Sequence, residues 1–439
     1  MKKIILYFII LNFINLWAER IESNILDSKK DSNNIESALD SKVDSKADSN
    51  LDSKIDFTQH ITQDSNKQDS TKKQKTFPYT PTIHNNNQNS KLKFIYGFDF
   101  GFFADNLEDS FAYTPTRTLF AASIFPEIGA SFYNQNIRVG TFIIYNMGEK
   151  LLNRGDLNIG LSLFYDIQHS GFHGFFGIFS RKFWLINYPR FFYRDDFLFF
   201  NPVINGILLQ KSSKNNNFKS EFMLDWYGGN LAKRIDEFMV QIAMQHDFLQ
   251  HKNKDSKQNQ NILFYGAQAQ LFHTKNSNIL NPNSTNLDVF LLDRFYYNLY
   301  FGADFTSLIP NFNKFSMWIN ALGGVDRKRF ESSGPEAFAH KIGGELNFEL
   351  NFKGFGIANS AYFGQGQYKY FDEYGESIYW GLPFYQARFY DRLEAYYEYK
   401  NAYLRARFSL IGHFADNTFA HQQMLNIYID TQRLIETFR

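Results

Sequence analysis

Leu92-Lys93-Phe94-Ile95-Tyr96-Gly97-Phe98-Asp99-Phe100-Gly101-Phe102 reads as an extended segment with two unlike faces. Leu92, Phe94, Tyr96, Phe98, Phe100 and Phe102 fall on one side of a period-two backbone, and Lys93, Gly97, Asp99 and Gly101 on the other; only Ile95 breaks the alternation. The pattern recurs. Leu157, Ile159, Leu161, Leu163 and Tyr165 oppose Asn158, Gly160, Ser162 and Asp166, with Phe164 as the exception. Ile342, Gly344, Leu346, Phe348, Leu350 and Phe352 oppose Gly343, Glu345, Asn347, Glu349 and Asn351, and Leu404, Ala406, Phe408 and Leu410 oppose Tyr403, Arg405, Arg407 and Ser409. A strand that crosses a bilayer needs about 9–11 residues with one apolar face, and these segments have that form.

Extended over the chain, the reading places strands at 92–103, 118–132, 136–146, 156–168, 171–180, 197–211, 217–228, 237–249, 260–273, 293–306, 314–325, 339–352, 355–366, 388–399, 402–414 and 421–430. The total of about 16 is even, as single-chain bacterial barrels require. The connections alternate in length. Tyr133-Asn134-Gln135, His169-Ser170, Lys353-Gly354 and Lys400-Asn401 are tight, and Ser212 to Asn216 is short; Ala104 to Arg117, Arg181 to Asp196 and Gln367 to Ala387 are long. Outer-membrane barrels put short turns in the periplasm and long loops outside, so both termini are expected in the periplasm. The polar link from Gln250 to Asn259 departs from this rule, being long where a short turn is expected.

Composition agrees. The chain has 439 residues, 50 of them Phe and 26 Tyr, yet its mean hydropathy is -0.39. Apolar residues are therefore dispersed, and beyond the N-terminus no run reaches the roughly 18 residues of a spanning helix. In a soluble sandwich, rings at nearly every inward position would overfill the core; in a barrel they meet lipid and form interfacial girdles. The fold expected is an all-β, transmembrane, antiparallel up-and-down barrel behind a disordered N-terminal segment. A net charge of +1 gives no reason to expect nucleic acid as a partner, and the absence of cysteine excludes disulfides, thiolate metal sites and a lipid-anchored N-terminus.

Lys2 and Lys3, the apolar Ile4 to Leu16 and the small Ala18 form a Sec-type signal peptide over 1–18, cleaved after Ala18, although Leu16 is bulky for its position. Residues 19–91 repeat Asp-Ser-Lys/Asn units, as at Asp40-Ser41-Lys42 and Asp52-Ser53-Lys54, and have almost nothing to bury. They are expected to be a disordered periplasmic tether, with peptidoglycan as its candidate contact. The barrel is expected over 92–430, with a tail at 431–439.

If the apolar stripes face lipid, late strands put charges in the lumen. Arg388, Arg392, Glu394 and Glu398 share one inner face, Arg405, Arg407 and His413 the next, and Glu345 and Glu349 a third. Charged rings bias which ions pass a pore, whereas the plainer role is mutual pairing that fills the interior. A 16-stranded barrel is too wide for side chains alone to close, so a channel is expected unless loops plug it.

Enzyme chemistry lacks a footing. The ten His are scattered, His169 and His173 flank a turn without a third ligand, and Gly364-Gln365-Gly366 lacks the helix and lysine of a phosphate cradle. No catalytic residue, cofactor or metal is expected.

Three motifs carry a family resemblance. They are Phe179-Ser180-Arg181 through Tyr188-Pro189 to Phe199-Phe200-Asn201-Pro202 and Gly206; Pro126-Glu127-Ile128-Gly129; and Gly356-Ile357-Ala358-Asn359 with Gly364-Gln365-Gly366. With them the chain resembles an uncharacterised family of predicted Gram-negative outer-membrane, porin-like β-barrel proteins over most of 92–430. The resemblance implies an outer-membrane barrel and no particular solute. One departure is the end of the chain: Tyr428 closes the last strand, yet Thr431 to Arg439 continue. The expected function is a porin-like channel for passive diffusion of small hydrophilic solutes, with membrane lipid and those solutes as partners. The alternative is a non-conducting structural or adhesive barrel acting through its loops.

Overall fold

Alternating strands that are apolar on one face can satisfy their backbone in lipid only by closing into a cylinder. The structure, a computed structural model, describes residues 92–147, 157–228, 237–252, 259–275, 290–309, 312–330 and 332–430. The expected signal peptide, tether and C-terminal tail lie outside the described residues. The strands are β1 Lys93–Glu108, β2 Arg117–Phe132, β3 Gln135–Asn146, β4 Leu157–His169, β5 Phe172–Ser180, β6 Val203–Ser212, β7 Phe218–Gly228, β8 Glu237–Lys252 and β9 Asn259–Lys275. They continue as β10 Phe290–Asp304, β11 Phe312–Phe330, the two-residue β12 Gly334–Pro335, β13 Ala339–Phe352, β14 Phe355–Gly364, β15 Phe389–Lys400, β16 Leu404–Ala415 and β17 Thr418–Asp430. Each long strand pairs antiparallel with its neighbour, β11 pairing directly with β13. The cylinder closes where β1 meets β17, with Asp99 opposite Asp430 and Phe102 opposite Ile427. Apart from β12, sixteen strands span the wall.

The exterior is the apolar stripe. Phe94 is 71% exposed and Ile159 60%, and Leu161, Ile242, Leu299, Ile319, Leu346 and Leu410 are all exposed. Such a belt facing water would forfeit about 25 cal/mol per Å² of apolar surface, so it is a lipid-facing surface. The opposite face turns inward: Asp99, Glu127, Gln241, Gln270, Asn298 and Glu394 are buried.

Three local readings change. The Gln250–Asn259 link is strand at both its ends, because β8 and β9 stay paired out to Lys252 and Asn259, leaving 253–258 outside the described residues. Residues 195–200 are a helix, α1 (Asp195–Phe200), and β6 begins only at Val203. Asp195 and Asp196 sit in its first turn, where carboxylates suit the helix dipole, and Pro202 follows its end. Arg388 precedes β15 and is exposed, so the strand that was to turn it inward starts one residue too late.

β5 and β6 are short, and Gly177 pairs with Gly206 at the level where the chain leaves the wall. Gly177 has φ +119, and a Cβ there would lie 2.3 Å from the Leu163 carbonyl oxygen. Gly177→Val is expected to cost about 1–3 kcal/mol from the backbone alone. Heat-modifiability on SDS gels would show it as a lower unfolding temperature; an unchanged transition would contradict the strain.

Candidate functional site

The two longest described connections do not stay outside. Residues 181–202, carrying α1, and 365–388, carrying α2 (Phe371–Tyr374), fold into the barrel against lumen-facing side chains. The first is anchored along β6 to β9. Gln210 Nε2 donates to the Phe183 carbonyl at 2.7 Å, and Glu221 accepts from the Leu185 amide at 2.8 Å and the Tyr188 hydroxyl at 2.5 Å. Tyr193 donates to Gln241 at 2.5 Å, and Gln268 Nε2 to the Asn187 carbonyl at 2.6 Å. The second connection clasps the first: Arg194 N donates to Trp380 O at 2.7 Å, Leu382 N to Arg190 O at 2.9 Å, and the Tyr368 hydroxyl to Phe191 O at 2.8 Å. At Gly381 only a glycine fits, since a Cβ would stand 2.1 Å from the Phe191 carbonyl oxygen.

The contact between the two is aromatic. Trp380 stacks on Phe197 at 4.9 Å and meets Phe272 edge-on at 4.8 Å, and Phe191 stacks on Tyr368 at 5.6 Å. Trp184, Phe191, Phe192, Tyr193, Tyr379, Phe384 and Tyr385 are all buried. Arg294 of β10, 1% exposed, lies against this cluster, its guanidinium 4.5 Å from the Phe272 ring centre and 5.2 Å from that of Trp380, donating to the Ile378 carbonyl. A buried cation is tolerable when ring faces and carbonyls replace its water. Burial, then the neighbouring Glu221 carboxylate, pushes the Tyr188 hydroxyl well up; burial, then Glu345, does the same to Tyr385. Both hydroxyls therefore remain donors.

Opposite this plug stands a charged wall, and here the residues expected from sequence are brought together. Glu394, 1% exposed, accepts from Arg392 at 2.6 Å, Arg407 at 2.8 Å and Ser409 at 2.6 Å. Glu398 pairs with Arg405 at 2.5 Å. Glu349 lies 3.8 Å from Arg407 and accepts from Tyr396 at 2.9 Å, and the Arg407 guanidinium lies 3.5 Å above the Tyr396 ring. Glu345 is held by Asn320 and Asn347, each at 2.8 Å, and by the Tyr385 hydroxyl of the plug. His413 is buried beside Tyr390 and Gln422. Arg388 stands apart.

The strand pattern did not expose the residues that join plug to wall. Arg190 projects from the first connection toward Glu394, at 3.9 Å, and Asp195, at 3.5 Å. Burial opposes its charge, but Asp195 and Glu394 outweigh that and raise its pKa. Arg117 of β2 bridges Asp196 and Glu376, each at 3.1 Å, and Arg194 bridges the same two carboxylates at 2.9 Å. Lys182 pairs with Asp99. Beside it a cavity of about 60 Å³ lies between the first connection and the closing seam, lined by Asp99, Ser123, Ser180, Lys182 and Tyr428 among others. Its volume and polar lining suit a few waters. The available signal was the aromatic density of the two connections, which a water-exposed loop does not need.

No group of three or more His, Asp or Glu able to hold a metal occurs among the described residues. No protein-family model and no curated protein matches the chain. Among solved structures it is similar to OpdL of Pseudomonas aeruginosa, with 10% identity, 77% of this chain and 98% of that one covered, and a TM-score of 0.38. OprB of Pseudomonas putida gives 10%, 77%, 94% and 0.40, and the outer membrane protein OpdK of Pseudomonas aeruginosa 8%, 76%, 98% and 0.40. The barrel itself stands on its strand pairing and meets what the family resemblance implied.

Proposed function

We propose that this protein is an outer-membrane channel for small hydrophilic solutes, narrowed by its two inward connections to a path along the charged wall. The termini face the periplasm and the long connections the exterior. The observation that carries the reading is the asymmetry of the constriction. One side is sealed by stacked rings, while the other presents Arg190, Arg392, Arg405 and Arg407 with Glu345, Glu349, Glu394 and Glu398. Opposed charges set a transverse field that favours polar, charge-bearing solutes over apolar ones. Arg190 keeps 35% of its side chain exposed, so the wall is wet at that point.

The same packing favours a second reading, a barrel closed at rest, because Glu394 is saturated by donors. Planar-bilayer recording separates the two. Purified wild-type protein is expected to give discrete conductance steps; their absence supports the closed barrel. R405A/R407A leaves Glu398 and Glu394 short of counter-charge and is expected to shift ion selectivity toward cations. Unchanged reversal potentials in a salt gradient would remove the charged wall from the filter.

A further inference from the structure

On the outside of the wall, β9 to β11 break the apolar stripe near the end that carries the long connections. Asp293 is paired in register with His273 on one side and Arg327 on the other, and Leu291 with Lys275 and Arg329. All face outward with Phe295 and Leu299, because Arg294 and Tyr296 between them are buried. Asp293 accepts from His273 at 3.0 Å, Arg327 at 3.1 Å and Arg329 at 2.9 Å. One carboxylate cannot neutralise two guanidiniums, so the cluster keeps a positive excess on a surface that meets lipid. Cations there are disfavoured unless they reach headgroups.

Below the charges the wall returns to apolar. A groove of about 330 Å³ is lined by Leu271, Phe295, Val325 and Phe338 on one side and by Asp293 and Arg327 on the other. Arg327 lies 4.1 Å over the Phe338 ring, which is itself exposed. Half cationic and half apolar, the groove complements an anionic amphiphile. Asp293 takes the Nε side of both guanidiniums, Arg329 Nε at 2.7 Å and Arg327 Nε at 3.1 Å, and holds their planes so that the remaining Nη N–H groups can donate to a phosphate.

We propose that this groove binds the phosphorylated headgroup of an outer-leaflet glycolipid, with an acyl chain along Leu271, Phe295 and Val325. The inference rests on the orientation proposed above, which puts this end of the barrel in the outer leaflet, but not on conduction.

The test reconstitutes the full-length, folded protein in phosphatidylcholine vesicles doped with bisphosphorylated lipid A, dephosphorylated lipid A or phosphatidylglycerol. Native mass spectrometry then reads the lipid that stays bound. Bisphosphorylated lipid A is expected to be retained about tenfold better than either of the others. R327Q/R329Q is expected to abolish that preference while single-channel conductance stays as in wild type. Equal retention of dephosphorylated lipid A, or of phosphatidylglycerol, overturns the proposal, as does full retention by R327Q/R329Q. If that variant does not fold, R327K/R329K keeps both charges and loses the forks; undiminished retention there also overturns it. A silent barrel that still selects the phosphorylated glycolipid supports the site and counts against the channel alone.

Discussion

Deleting residues 369–384 and bridging the gap with a short Gly-Ser linker raises single-channel conductance severalfold. These residues contribute Tyr379, Trp380 and Phe384 to the plug, and the connection clasps its neighbour through Trp380 O and the Leu382 amide. A sixteen-stranded wall encloses more space than its own side chains fill, so removing this layer leaves water in its place. The deletion also uncovers Arg294, whose ring contacts include Tyr379 and Trp380 and whose acceptor is Ile378 O. The widened path therefore gains a cation, and selectivity moves toward anions. If the wild type is closed at rest, the same deletion turns silence into steps. Conductance equal to wild type, with folding verified on SDS gels, would show that the second connection does not occlude the lumen.

Glu394→Ala is expected to have the largest effect on stability of any single change in the charged wall. Its carboxylate takes hydrogen bonds from Arg392, Arg407 and Ser409 and faces Arg190 at 3.9 Å, with almost no access to water. Removing one partner of such a buried set strands the others, at about 3–5 kcal/mol. The heat-modifiability transition should fall sharply, and the surviving channels should prefer anions, opposite in sign to R405A/R407A. Glu394→Gln keeps the volume and an acceptor, so it should destabilise less while still shifting selectivity. A transition within error of wild type for Glu394→Ala would mean that the arginines are solvated by the lumen.

Much of this was legible from spacing alone. β13 runs over the expected 339–352, and β3, β4, β7 and β15 fall within a residue of their expected limits. The reason is physical: a wall between lipid and an interior needs unlike faces, and period two writes them into the sequence. The inward side of Glu345, Glu349, Arg392, Glu394, Glu398, Arg405 and Arg407 was legible for the same cause. Arg388 was not, because alternation does not say where a strand starts. Residues 197–200 were misread because Phe197, Phe199 and Phe200 suit a strand as well as a helix that packs its rings on Trp380 and Phe103. The motif from Phe179 to Pro202 that carried the family resemblance lies at this inward turn.

The sequence by itself determined the wall: its strand count, its lipid-facing stripe and, Arg388 apart, which late charges point inward. All of these follow from local periodicity and connection length. Only the tertiary structure decided what fills the wall. Whether 181–202 and 365–388 stand in water or fold inward depends on contacts between residues far apart in the chain, such as Arg194 with Glu376 and Trp380 with Phe272. No periodicity encodes such contacts, because they exist only once the cylinder has closed and its interior must be packed.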